Sequence, residues 1–245
     1  MKKKISIILT TIIILIISYL IYSNKRLDGI YIKKSSIYLN QKDSTTSENT
    51  QQSLLKIKNQ KFNRYYHSFN GIPEVEKYFS FLTYINFKPE NKEYSFYPSN
   101  IENINNDSLV LSNNFDTTEY YLKIPDSLKN DLNEKFEISN KVFKSTTEKF
   151  IDTVFFSKNF MIFKNGKKNY KDWGFLNREV LKIDGFDIML IDSEPVLIIK
   201  KQKEYFKFYK YDLNSKLIEI KLEELNIDTN DFNEKLELIK LAIKR

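Results

Sequence analysis

Few side chains in this 245-residue chain have both the type and the spacing for chemistry. His67, in the stretch RYYHSF, is the one histidine, and Ser68 beside it would place a general base next to a hydroxyl. An ordinary polar residue on a strand or strand edge is the competing reading of His67. Asp184, Asp187, Asp192 and Glu194 fall within eleven residues, raw material for a paired-acid hydrolase or a calcium site if they converge. Their spacing matches no EF-hand loop. Asp184 and Asp187 flank Gly185 in what reads as a turn, with Asp192 and Glu194 at the next turn, so solvated turns are expected. Trp173, in DWGF, is the only tryptophan, a candidate for a ligand cavity as well as for the core. His67, Trp173 and Asp187 are thus the candidates for ligand contact, and no residue is assigned to catalysis, a cofactor or a metal.

Motif chemistry narrows the classes further. The chain holds no G-x-S-x-G elbow, no G-x-x-x-x-G-K-[ST] loop, no G-x-G-x-x-G and no H-E-x-x-H. With no cysteine it has no thiol nucleophile, iron–sulfur ligand or cysteine-bound zinc, and one histidine makes no multi-histidine metal site. No cofactor is expected, and the reading is of a non-enzymatic protein.

The formal charge of +7 suggests nucleic acid until it is divided along the chain. Residues 1–26 hold five basic and no acidic residues, leaving 34 basic against 32 acidic in residues 27–245. A nucleic-acid binder concentrates basic residues on one face, whereas here Lys, Asp and Glu interleave, so nucleic acid is not an expected partner. Lys200, Lys201, Lys203, Lys207 and Lys210 suit either anionic lipid head groups or a solvated sheet edge.

The charge in residues 1–26 flanks an apolar run from Ile5 to Tyr22, interrupted only by Ser6, Thr10, Thr11 and Ser18. As a helix it spans roughly 27 Å, close to a hydrocarbon core of about 30 Å. Retention as a membrane anchor is favoured over a cleaved leader, because the nearest small-residue site, Ile21-Tyr22-Ser23, has a small residue at only one of its two positions. Lysines flank both ends, so charge alone does not orient the span; a basic N-terminal tail before an apolar run predicts a body outside the cytoplasm.

Behind this anchor (1–26) the expected organisation is a β-rich portion at 27–125 and a β-meander portion at 126–245. Leu27–Leu39 alternates as a short hairpin. NQKDSTTSENTQQS, residues 40–53, lacks a large apolar side chain and reads as a loop or tether. PEVEKYFSFL suggests a helix from Pro73, and PDSLKNDLNEKF, residues 125–136, another. Asn165-Gly166 is a tight-turn signal. FDIMLID, PVLIIKK, EYFKFYKYD and KLIEIKL follow with short connections, which force antiparallel neighbours. The closing TNDFNEKLELIKLAIKR carries a helical stripe, with Asp231 and Glu234 resembling a capping box. The fold class is mainly β: an N-terminal transmembrane helix, antiparallel and barrel-like sheets, and a C-terminal helix.

LDGIYIKK after an export segment, with DSLVLSNNFDTTEYYLKI later, resembles the strand cadence of small envelope lipocalin-like proteins. That resemblance implies a strongly curved or barrel-like sheet of the kind those proteins wrap around an apolar ligand. The 40–53 insertion and the second β-rich half depart from the pattern. The expected function is a membrane-anchored envelope protein binding a partner protein or an apolar ligand. Its alternatives are a carboxylate-dependent envelope enzyme and a tethered structural spacer.

Overall fold

The computed structural model describes residues 2–40, 45–49, 53–65, 74–81, 84–89, 99–113, 117–130, 138–146, 151–157, 160–165, 173–191, 197–202, 206–212, 214–220 and 222–243. The chain divides into two compact units, Met1–Ile124 and Pro125–Arg245. It is mostly β, with an apolar helix at one end and a second helix at the other.

Helix α1, Lys2–Lys25, is solvent-exposed along its apolar run and long and apolar enough to cross a membrane. Its last turn differs from the rest: Ser23 and Asn24 are buried. Three residues later the chain enters β1, Gly29–Asn40. This is one continuous strand and not the hairpin expected over residues 27–39. Its near half pairs with β3 (Leu54–Lys58), its far half pairs with β2 (Thr45–Asn49), and its other edge pairs with β9 (Thr117–Lys123). The polar stretch 40–53 therefore contains a strand that extends the sheet. From β3 the chain meanders through β4 (Lys61–Tyr65), β5 (Glu74–Phe81), β6 (Tyr84–Pro89), β7 (Ser99–Ile104) and β8 (Ser108–Asn113) to β9. Because β9 returns to β1, these antiparallel strands form a hydrogen-bonded ring with β2 as a spur.

The expected helix from Pro73 is strand β5. Tyr78 and Ser80 are buried along it, and β4 and β6 take its two edges. Long-range pairing outweighs the weak local helix signal, as tertiary context commonly does. The inner face of the ring carries Tyr31, Leu55, Ile57, Phe62, Tyr78, Ile85, Ile101, Leu109, Leu111 and Tyr121, with Leu27 at the base. Asn59 and Gln60, both at positive φ (51° and 60°), close the β3–β4 turn at that same base. Two such residues in succession make the turn whose twist matches paired strands.

The second unit begins with a single 3-10 turn, Asp126–Leu128, that ends at Lys129, whose ψ of 140° is extended. No helix runs on from it through Lys129, and residues 131–137 of the expected helix lie outside the described residues. Strands β10 (Lys141–Thr146), β11 (Ile151–Phe156), β12 (Phe160–Asn165), β13 (Trp173–Ile183), β14 (Phe186–Ile191), β15 (Leu197–Lys201), β16 (Phe206–Tyr211) and β17 (Leu217–Ile220) lie side by side in chain order. One residue after β17, β18 (Leu222–Leu225) pairs back onto β10. Strands β17 and β18 thus pair with opposite ends of the meander and curl it, as the return of β9 to β1 does in the first unit. Gly166 of the Asn165-Gly166 signal lies outside the described residues; the β12–β13 ladder ends at Lys164 opposite Trp173.

Inside this sheet Phe143, Phe156 and Phe208 meet at centroid separations of 5.4–6.3 Å. Helix α2, Asn230–Ile243, lays Phe232 and Leu236 on Val142 and Phe155, and the rings of Phe155 and Phe232 stack at 5.4 Å. Its start differs from the expected Asp231–Glu234 box: the Asn230 N–H donates to Asp228 Oδ1 at 3.0 Å. Such local side-chain acceptors serve the unsatisfied donors of a first turn.

Candidate functional site

A β-bulge sets the composition of the inner wall of the first unit. Lys33 stands opposite Tyr121, yet Ser35 already stands opposite Tyr120, so Lys34 is an extra residue. In a regular strand Lys33 and Ser35 would share a face; after the extra residue the inward parity passes to Ser36, opposite Glu119. The bulge therefore puts Lys33 and Ser36 on the face that carries Tyr121.

Arg64 joins them from β4, opposite the inward Leu55. Its Nη2 donates to Glu119 Oε2 at 3.1 Å and to Tyr121 Oη at 3.0 Å, and Tyr121 Oη donates to the same Glu119 oxygen at 2.7 Å. One carboxylate oxygen thus accepts from a guanidinium and a phenol, with the two charged side chains only 11% and 19% exposed. Lys33 is 8% exposed; burial lowers its ammonium below the usual lysine value, Glu119 acts in the opposite sense, and Arg64 adds to the lowering. The Ser36 hydroxyl is fully buried and makes no hydrogen bond among the described residues. Native proteins seldom leave such a group unused, since an unbonded buried hydroxyl carries a desolvation cost.

Along β1 the cluster begins beyond Tyr31, away from the end of α1. At the α1 end, Tyr78 Oη donates to Asn24 O at 3.0 Å and Tyr31 Oη donates to Leu27 O at 3.0 Å. The Ser80 N–H donates to Asn24 Oδ1 at 3.1 Å, and Ser80 Oγ donates to Ser23 O at 3.0 Å. Burial, with a smaller push from the charge of Asp28, holds both phenols well above the ordinary tyrosine range. The last turn of the apolar helix is thus hydrogen-bonded into the base of the ring.

Of the residues singled out by type alone, some belong to the second unit and the others lie outside the described residues. His67 lies outside the described residues. Trp173 opens β13 opposite Lys164 in the second unit. Asp187 is buried, and its Oδ2 accepts from Asn130 Nδ2 at 2.8 Å. Asn130 also donates to Ile199 O at 2.8 Å and accepts from the Lys201 N–H at 2.8 Å, pinning the segment after the 3-10 turn across β14 and β15. Asp184 and Gly185 (φ 48° and 89°) form the hairpin turn between β13 and β14. Asp192 and Glu194 lie outside the described residues. Among the described residues no three His, Cys, Asp or Glu side chains are grouped to hold a metal ion.

Lys33, Ser36, Arg64, Glu119 and Tyr121 escaped the sequence reading because they come from three strands, and the bulge that aligns two of them has no composition signal. Chemically the cluster offers donors from an ammonium, a guanidinium and a hydroxyl around one shared carboxylate. No protein-family model matches this chain, and no curated protein matches it in sequence.

Proposed function

We propose that this is a membrane-anchored, non-enzymatic envelope protein whose N-terminal sheet holds the polar head of an otherwise apolar ligand. The observation that carries the reading is the buried polar cluster inside a curled sheet, where the Ser36 hydroxyl and the Lys33 ammonium are shielded from water. The resemblance of LDGIYIKK and DSLVLSNNFDTTEYYLKI to lipocalin-like proteins supports the same class of ligand. Anchoring is supported by the junction at Ser23 and Asn24. A leader cut after Ser23 would remove a buried residue whose carbonyl accepts from Ser80 Oγ within the folded unit. The body is assigned outside the cytoplasm on the basic tail that precedes the span.

Native mass spectrometry of the full-length protein released from membranes tests the binding half. The expected result is a co-purifying amphiphile that is lost or strongly reduced in Ser36→Val and Lys33→Met, with the intact chain still carrying residues 1–23. A wild-type protein free of any such molecule would sink the ligand reading. A mature chain starting at Asn24 would sink the anchor reading.

A further inference from the structure

The base of the first unit, where α1 leaves it, carries basic residues drawn from separate parts of the chain. Lys25 ends the helix and Arg26 follows it, Lys58 and Lys61 flank the Asn59-Gln60 turn, and Lys123 ends β9. Their convergence shows at Asp28: burial raises its carboxyl above the usual range, while the charges of Lys58, Lys25 and Lys123 all oppose that rise. Lys25, Lys58 and Lys61 are exposed, and Arg26 and Lys123 are half-buried. Lys123 also reaches over the Tyr31 ring, 6.0 Å from its centroid. The described acidic residues at this end are Asp28 and Asp107 of the β7–β8 turn. Five basic residues against two acidic ones leave the base positive.

We infer that this base is a docking surface for the anionic phospholipid head groups of the bilayer that α1 crosses. The occupant follows from continuity and charge. Only three residues, Arg26 to Asp28, separate the helix from β1, and Ser23 and Asn24 are bonded to Ser80, so the base is held at head-group depth wherever α1 spans. Clustered Lys and Arg beside a span attract acidic lipid at about 1 kcal/mol per residue near the surface, about a fivefold preference each. The surface gains most of its charge through folding, since Lys58, Lys61 and Lys123 are distant from the helix in sequence.

The inference rests on the membrane reading of α1, and the test separates the two. Full-length protein is reconstituted in phosphatidylcholine vesicles, and the electron paramagnetic resonance of spin-labelled phosphatidylglycerol is compared with that of spin-labelled phosphatidylcholine. The expected result is a severalfold preference of the protein-contacting lipid shell for phosphatidylglycerol. Added salt and the pair Lys58→Gln and Lys61→Gln should both reduce it, while carbonate extraction still leaves the protein in the membrane. Both substitutions lie on an exposed turn, and an unchanged circular dichroism spectrum verifies the fold. Equal association of the two lipids, or a preference that survives both substitutions, overturns the head-group surface alone. Release by carbonate overturns the membrane reading along with it.

Discussion

At the scale of single residues, Lys33 is a lysine only 8% exposed in the folded protein. Its ammonium sits inside a sheet, and burial lowers its proton affinity from the ordinary value of 10.5. A lysine of this kind stays protonated in the unfolded chain over a pH range in which the folded protein has already released the proton. Across that window the unfolded state binds more protons, so stability rises with pH. Below the window both states are charged, and the folded one carries the burial penalty. The groups acting on it are Glu119 and Arg64, with Tyr121 opposite in the ladder. Lys33→Met, which keeps the length and removes the charge, should raise the urea midpoint at neutral pH and flatten its alkaline climb. A variant with the wild-type pH profile would show that the ammonium is solvated in the folded protein. The phenols of Tyr31 and Tyr78 titrate above the ordinary range, so their effect enters at higher pH and is common to both proteins.

Between elements, long-range bonds decide what local pattern leaves open. The segment from Pro125 carries a helical stripe, yet it extends after one turn because Asn130 is bonded by side chain to β14 and β15 and by its N–H to Gly185 O. Asn130→Ala would strand the buried Asp187 carboxylate and the Lys201 N–H together. The expected loss is about 3 kcal/mol, more than a neutral hydrogen bond contributes, because one of the stranded groups is a buried carboxyl. Urea unfolding measures it, and hydrogen exchange should show the opening concentrated in β14 and β15; a loss below about 1 kcal/mol would mean that water replaces the amide. The same contrast explains what was legible. The Asp184-Gly185 turn, the meander from β14 to β17 and the stripe of α2 depend on neighbours in sequence, and each can be read from spacing. The local pattern of β5 suggests a helix, whereas its two edges are taken by β4 and β6, which that pattern does not name. The Lys33–Ser36–Arg64–Glu119 cluster was invisible because Arg64 and Glu119 are 55 residues apart and meet only once the ring closes.

At the scale of the molecule, the first unit has a direction. Strand β1 starts beside the end of α1 and runs the height of the ring to its pairing with β2. From Gly29 to Ile37 it rises roughly 26 Å along the strand at about 3.3 Å per residue, and somewhat less along the ring axis because ring strands tilt. The β7–β8 turn at Asn106 is therefore at the base, and Ser47 of β2, opposite Tyr38, is at the other end. A chain without cysteine allows each position to carry one thiol-directed fluorophore through Asn106→Cys or Ser47→Cys. With the full-length protein in vesicles carrying a quencher on the lipid head group, the label at Asn106 should be strongly quenched. The label at Ser47, a further ~20 Å away, should stay bright. The difference requires both that α1 is retained and that its last turn is rigidly joined to the base, since a flexible junction would let both labels sample the surface. Asn24→Ala removes the acceptor for the Ser80 N–H and supplies the control: quenching at Asn106 should weaken as the junction loosens, while α1 stays in the bilayer. Equal quenching of the two labels in the wild-type protein would mean that the ring lies on its side against the membrane, and the axial reading of the molecule would fail.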